Sequence, residues 1–117
     1  MHSEDLLELA QTSLDDLKAR DVRVFDVRDM TSVTDYFLLA SGTSDRHVRS
    51  LSDKLIQNVK QAGYSPLGVE GQDAGEWVLI DLNDVVVHVM QPRTREFYKL
   101  EDLWTIRPAG EMESAGN

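Results

Sequence analysis

Residues 76–90 read EWVLIDLNDVVVHVM, and this stretch decides the fold. Two apolar runs, each suited to a β-strand, flank the dipeptide Asn83-Asp84. Asn and Asp tolerate the positive φ angles that a two-residue hairpin turn demands. The pattern therefore predicts an antiparallel hairpin with its turn at this dipeptide and with Leu82 facing Val85.

The turn determines which side chains share a face of the hairpin. One face is wholly apolar and is predicted to be core: Val78, Ile80, Leu82, Val85, Val87 and Val89. The second face pairs Asp81 with Val86, Leu79 with His88, and Trp77 with Met90. A solvated hairpin face is usually polar, so something is expected to cover this one. The covering element is expected to be the chain's own C-terminal segment, a second copy of the chain or another protein. Large exposed apolar patches usually mark interaction sites.

The rest of the chain completes an α/β pattern. Three helices are predicted, over 3–20, 45–62 and 94–103, and two strands, over 22–28 and 35–40. Ser3 is the expected N-cap of the first helix. The second helix is expected to be capped by one of residues 43–45 and to stop at Gly63. Residues 35–40 are apolar on both faces, which favours a central strand. Residues 1–105 are predicted to form a single domain, and residues 106–117 a flexible tail.

Composition and charge limit the kinds of site and partner that this chain can have. The 117 residues include no cysteine, which excludes disulfides, thiolate zinc sites and a cysteine nucleophile. No apolar run has the length of a membrane span, and the acidic N-terminus is typical of neither a signal nor a transit peptide, so a cytoplasmic protein is expected. Twelve Lys and Arg against 21 Asp and Glu give a net charge of −9. This argues against DNA or RNA as the main partner and suits a basic protein.

Residues that could carry catalysis are scattered. Residues 42–44 lie between a predicted strand and a helix, where phosphate binds in some folds, but no P-loop lysine follows and Asp45 would repel an anion. A capped turn is therefore favoured. The carboxylates Asp26, Asp81 and Asp84 form no acidic pair on one strand face, which disfavours a metal site. The histidines, His2, His47 and His88, form no cluster, and no serine lies in a nucleophile motif.

The segment after Pro92 mixes aromatic and basic residues. A buried helix face is predicted for three apolar residues of this segment: Phe97, Leu100 and Trp104. Arg95 and Tyr98 fall on a neighbouring face, beside Trp77 and Met90 of the hairpin. One interpretation is a helix that only packs on the sheet. The other makes Arg95 the rim and Tyr98 an anchor of a binding patch.

Several blocks of the sequence resemble one known family. They are DYF at 35–37, ASGTSDRHV at 40–48, GVEG at 68–71, EWVLID at 76–81, DVVVHVM at 84–90 and REFY at 95–98, followed by LE at 100–101 and LW at 103–104. Their content and order resemble the ribosomal silencing factor family, also called the Iojap family. This sequence departs from common family residues at Asn83, Met90, Arg93 and Lys99.

The resemblance implies a small mixed sheet with flanking helices, similar to nucleotidyltransferases but without their catalytic acids. It also implies binding to the large ribosomal subunit through ribosomal protein L-fourteen, which blocks joining of the small subunit when nutrients are short. Family members are often homodimers, and no enzyme activity, cofactor or metal is expected.

The hairpin face and the segment after Pro92 together predict a partner-binding site: Trp77, Leu79, His88, Met90, Pro92, Arg95 and Tyr98. Two alternatives stay open. One is a nucleotidyltransferase-type enzyme that binds nucleotides. The other is a self-associating adaptor that does not bind ribosomes.

Overall fold

The computed structural model describes residues 2–105. Its elements are α1 (Ser3–Asp16), β1 (Arg20–Asp26), β2 (Tyr36–Ser41), α2 (Asp45–Gln61), β3 (Gly68–Glu70), β4 (Trp77–Asp81), β5 (Val85–Met90), α3 (Pro92–Tyr98) and α4 (Asp102–Thr105). The predicted flexible tail over 106–117 lies outside the described residues, and so does the side chain of Trp104.

The strands form one mixed sheet in the order β1-β2-β5-β4-β3. β2 and β5 run parallel, whereas the other neighbouring strands run antiparallel. The prediction of a small mixed sheet with flanking helices is confirmed. β2 has neighbours on both sides and all six of its residues are buried, as its two apolar faces predict.

The hairpin has the predicted register. Val78 lies opposite Val89, and Ile80 lies opposite Val87. Asn83 takes the positive φ of the turn, 72°. Its N–H donates to Asp81 Oδ1 at 2.8 Å, which stabilises the tight turn further.

The main core lies between the hairpin's apolar face and helices α1 and α2. It combines Leu6, Ala10 and Leu14 of α1, Val48, Leu51, Leu55 and Val59 of α2, and Tyr36, Leu38, Ala40, Val78, Ile80, Leu82, Val85, Val87 and Val89 of the sheet and its turn. Both helices show the apolar spacing that buries one stripe against a sheet. They cover one face only, so the other face depends on different elements.

Each of the two long helices is followed by a residue in the left-handed conformation. After α2, Gly63 has a φ of +87° and the N–H of Tyr64 bonds back to the carbonyl of Val59, as a Schellman cap requires. After α1, Lys18 has a φ of 62° and Ala19 N–H bonds to the carbonyl of Leu14. The helix therefore ends earlier than predicted, because a non-glycine residue occupies the left-handed position. At its start, His2 rather than Ser3 is the N-cap residue.

Two further predictions are corrected, and one strand was not predicted. β1 begins at Arg20, two residues early, and its register with β2 is irregular near Asp21, where φ is 48°. The three-residue strand β3 was too short for sequence patterns to show. The predicted helix over 94–103 breaks at Lys99, whose φ is 49°, so α3 ends before α4 begins. Phe97 points outward and is 78% exposed, because it lies about 200° around α3 from the buried Arg95, whereas Leu100, after the break, packs inward.

The backbone before β4 is tightly constrained at Gly71. Its φ is +89°, and an added Cβ would overlap the carbonyl oxygen of Trp77. Gly71→Ala is expected to lower the free energy of unfolding by more than about 2 kcal/mol, since a left-handed non-glycine residue alone costs of order 1–3 kcal/mol.

The matched control is Gly68→Ala, because an added Cβ there has nothing within 4 Å. Urea unfolding followed by far-ultraviolet circular dichroism measures both variants. Equal unfolding midpoints for the two would contradict the overlap at Gly71.

Candidate functional site

The sheet face away from α1 and α2 carries a second, smaller apolar cluster. Its buried members are Val27, Phe37, Leu39 and Met90, and Phe25, Met30, Trp77 and Leu100 pack partly buried against them. The cluster joins β1, β2, β4 and β5 to the turn after α3. It includes both Trp77 and Met90 of the hairpin's second face.

Six rings form an unbroken series of contacts on this face, here called the aromatic row: Phe25, Phe37, His88, Trp77, Tyr98 and Phe97. The distances between successive ring centroids are 5.9, 4.7, 5.9, 4.9 and 4.9 Å. The tilted and edge-on arrangements are those that aromatic pairs prefer. The row passes from buried at Phe37 to open at Tyr98, which is 53% exposed. Its exposed end lies on α3.

His88 is held in the neutral form at the middle of the row. Trp77 Nε1–H donates to His88 Nδ1 at 2.8 Å. An indole nitrogen only donates hydrogen bonds, so Nδ1 acts as an unprotonated acceptor. Burial lowers the pKa of His88 to about 4, because desolvation disfavours the charged imidazolium. Both observations give an uncharged ring at neutral pH.

The structure brings most of the predicted site residues together. Trp77, Leu79 and His88 are partly exposed on one sheet face, and Tyr98 contacts the Trp77 ring. Pro92 is exposed at the first turn of α3. The sequence pattern missed Phe97 as a surface residue, because it did not show that Arg95, on the opposite face of α3, is the residue that points inward. It also missed Phe37, whose place in the row depends on the parallel pairing of β2 with β5.

Met90 and Arg95 do not lie at the surface, which corrects the prediction for their positions. Met90 is 0% exposed, because Trp77 and Leu100 pack in the same cluster. Arg95 is 7% exposed, and its Nη1 donates to the Asp21 carbonyl at 2.7 Å and to Ser41 Oγ at 2.9 Å.

Arg95 therefore ties α3 to the start of β1 and the end of β2. Its Nε also lies 3.5 Å from Glu101 Oε2, just before α4. A planar guanidinium can make several such contacts at once, which a lysine ammonium cannot reproduce. The side chain predicted as a rim for a partner instead fixes the helix that carries Tyr98.

The turn between β2 and α2 is already satisfied by its own side chains. Thr43 N–H donates to His47 Nδ1 at 2.9 Å, His47 N–H donates to Ser44 Oγ at 3.1 Å, and Arg46 N–H donates to Asp45 Oδ1 at 2.8 Å. These are among the backbone donors that a phosphate would need. Ser44 is the N-cap that the sequence predicted as one of three residues.

His47 has a structural partner that the sequence did not indicate. Its Nε2 lies 2.7 Å from the carbonyl oxygen of Leu17, at the end of α1. Since Nδ1 accepts from Thr43, the proton belongs on Nε2, which donates to Leu17. The ring thus connects the end of α1 to the start of α2.

Two of the three carboxylates considered for metal binding, Asp26 and Asp81, make local contacts instead. Arg28 pairs with Asp26 through two hydrogen bonds, of 2.9 and 2.6 Å, and lowers the pKa of Asp26 to about 2. Asp81 accepts from the turn at Asn83. Across residues 2–105, no group of three or more His, Cys, Asp or Glu side chains is arranged to hold a metal ion. In the same range no helix is both long and apolar enough to cross a membrane.

Comparison with known proteins identifies the family. The family described as "Ribosomal silencing factor during starvation" matches residues 1–116. This chain belongs to the ribosomal silencing factor family. Ribosomal silencing factor RsfS of Haemophilus influenzae is 42% identical over 99 residues, which are 85% of this chain and 97% of that protein. The family's silencing role, associated with the ribosome, is therefore this chain's role in broad terms.

Two further proteins are similar to this chain. A crystal structure of a Chromobacterium violaceum protein has a TM-score of 0.88 and 37% identity, and the match covers 99% of this chain and 95% of that one. A mouse protein named "Mitochondrial assembly of ribosomal large subunit protein 1" is 40% identical over 92 residues. That match covers 76% of this chain but 40% of the mouse protein.

His88, which is largely but not fully buried, predicts a pH dependence of stability. The pKa is about 4 in the folded chain against an ordinary value of 6.5, so between these pH values the unfolded chain binds a proton that the folded chain does not. Stability therefore falls as the pH falls from 6.5 to 4, at about 1.4 kcal/mol per pH unit. The residues that face the ring from β2 and β4 are Phe37, Leu39, Trp77 and Leu79, and none of them titrates.

Urea unfolding at pH 7 and pH 5 tests this. The loss of unfolding free energy between the two pH values is expected to be about 2 kcal/mol larger in the wild type than in His88→Gln, which cannot be protonated. The variant subtracts the contributions of all other groups. The same loss in both proteins would contradict a buried neutral His88.

Arg95 predicts a second effect on stability. Arg95→Met is expected to destabilise the fold by roughly 3 kcal/mol, because it removes a buried cation and leaves its partners unsatisfied. Arg95→Lys should recover only part of this, since the ammonium cannot reach the same acceptors. Arg93→Met is the control on the same helix, because Arg93 is exposed. Chemical denaturation measures all three, and an equal effect at both positions would contradict the tethering role.

Proposed function

We propose that this protein represses translation by binding the large ribosomal subunit through ribosomal protein L-fourteen, and that the bound protein keeps the small subunit from joining, mainly under nutrient limitation. Membership of the silencing-factor family supports the ribosomal role. The name of the mouse relative, which refers to the large subunit, supports the choice of subunit. The action is steric and takes place in the cytoplasm, without enzymatic chemistry.

The observation that carries the proposal is the open end of the aromatic row. The Trp77 ring contacts Tyr98, and Tyr98 in turn contacts Phe97. The Phe97 side chain is 78% exposed. Holding a large aromatic side chain in water forgoes the free energy that burial would release, about 25 cal/mol per Å² of apolar surface. Aromatic side chains held together at a surface are typical anchors of protein interfaces.

The rest of the proposed contact surface follows from the same sheet face. Leu79 and His88 lie beside Trp77 on neighbouring strands, and Pro92 is exposed at the start of α3. Met90 supports this surface from beneath and Arg95 fixes α3, so both act on binding through position. A rigid, preorganised surface loses less conformational entropy when a partner docks.

Charge favours a basic protein as the contact. The chain carries a net charge of −9, so it is repelled by the phosphates of ribosomal RNA. The same charge attracts a basic protein and speeds encounter with it. A ribosomal protein exposed at the subunit surface therefore suits this chain better than RNA does.

Phe97→Ala is the sharpest test of the surface, because the side chain projects from the fold. We expect it, like Trp77→Ala, to weaken binding to purified large subunits by about 30-fold, which corresponds to the 2 kcal/mol of an interface hot spot. The matched control is Leu67→Ala, since Leu67 is also largely exposed, at 68%, but lies beside the far end of β4. Co-sedimentation at fixed salt measures binding, and circular dichroism confirms that each variant is folded.

A subunit-joining assay then tests the mechanism. Wild-type protein should bind large subunits alone and reduce the joining of small subunits, and Phe97→Ala should lose both effects together. Binding by the folded variant at wild-type affinity would rule out this surface. A wild type that sediments with neither subunit would overturn the proposed function, and sedimentation velocity would then show whether it associates with itself instead.

A further inference from the structure

His88 presents a polar group at the centre of an otherwise apolar face. Its ring lies between Phe37 and Trp77, with centroid distances of 4.7 and 5.9 Å. On the neighbouring strands its register partners are Leu39 and Leu79. An imidazole carries two nitrogens, and both normally find hydrogen-bond partners.

Only one of the two nitrogens is used within the described chain. Nδ1 accepts from Trp77 Nε1–H, which places the single proton of the neutral ring on Nε2. Among the residues whose side chains the structure describes, Nε2 has no acceptor. The ring is therefore a hydrogen-bond donor with a fixed tautomer and a fixed orientation.

We propose that His88 Nε2–H donates a hydrogen bond to a carbonyl oxygen of the docked protein, and that Trp77 selects the tautomer which makes this possible. The inference rests on the proposed function and adds a specificity-determining contact to its surface. A carbonyl oxygen suits this donor better than a carboxylate or phosphate does, because the chain already carries a net charge of −9.

This contact would discriminate between partners more than an apolar contact does. When the surface is covered, an N–H without an acceptor loses its hydrogen bond to water and gains nothing in return. A partner that places a carbonyl oxygen opposite His88 avoids this loss, whereas one that places an apolar group there does not. The aromatic rings supply affinity, and His88 sets where the partner's main chain or amide must lie.

Two variants separate the hydrogen bond from the packing. His88→Gln keeps an oxygen that can accept from Trp77 and an amide N–H that can donate outward. His88→Leu has a similar volume but neither group. We expect binding to large subunits to fall at least tenfold in His88→Leu and to stay within about threefold of the wild type in His88→Gln. Thermal unfolding of the two free variants shows whether a loss of binding reflects a loss of folded protein.

Nitrogen-15 spectra of the histidine rings test the tautomer without any partner. In the wild type at pH 7, His88 should show an unprotonated Nδ1 and a protonated Nε2, with the signals assigned by their absence in His88→Gln. Trp77→Phe keeps an aromatic ring but removes the indole N–H, so His88 should then exchange between both tautomers. A protonated Nδ1 in the wild type would overturn the inference.

The outcomes of the two experiments are distinguishable. If the wild type binds large subunits and folded His88→Leu binds equally well, the donor contact is wrong while the proposed function stands. If both variants lose binding equally and remain folded, the imidazole is needed for a reason other than donation, and the inference is again overturned. If the wild type itself does not bind, the proposed function fails and the donor contact fails with it.

Discussion

The parallel pairing of β2 with β5 is the constraint on which the rest of the structure depends. It aligns Tyr36 with Val85 and continues without a break to Ser41 opposite Met90. β2 comes from the first half of the chain and β5 closes the hairpin, so this ladder joins two otherwise local units. Every residue of β2 is buried, which a strand paired on both edges and covered on both faces requires.

Because of this pairing, the two faces of the sheet have different roles. One face is closed by α1 and α2, whose apolar stripes match the valines of the hairpin. On the other face the same ladder puts Phe37 of β2 beside His88 of β5, and Trp77 continues the line from β4. The fold thus gains its stability mainly from one layer and keeps aromatic surface available on the other.

Polar side chains hold the pieces of this arrangement in place. Arg95 connects α3 to Asp21 and Ser41, which lie 74 and 54 positions earlier in the chain. His47 spans 30 positions to reach Leu17. Each such bond is worth on the order of 1 kcal/mol, more when charged, so their larger effect is to fix position. In the proposed docking surface, Arg95 positions the helix that carries Tyr98 and Phe97, and His88 orients Trp77.

Local patterns in the sequence determined the hairpin register, the N-terminal cap and glycine stop of α2, the apolar nature of the second sheet face, and the membership of the family. These depend on neighbours a few residues apart: Asn83 allows its turn and Gly63 its cap because of their own backbone freedom. Only the tertiary structure decided that Lys18 and Lys99 would take left-handed conformations, that Arg95 would point inward, and that Trp77 would donate to His88. Arg95 reaches acceptors in distant segments, Trp77 reaches one on the neighbouring strand, and His47 binds the carbonyl just before Lys18 from 30 positions away. No periodicity along the chain records such contacts.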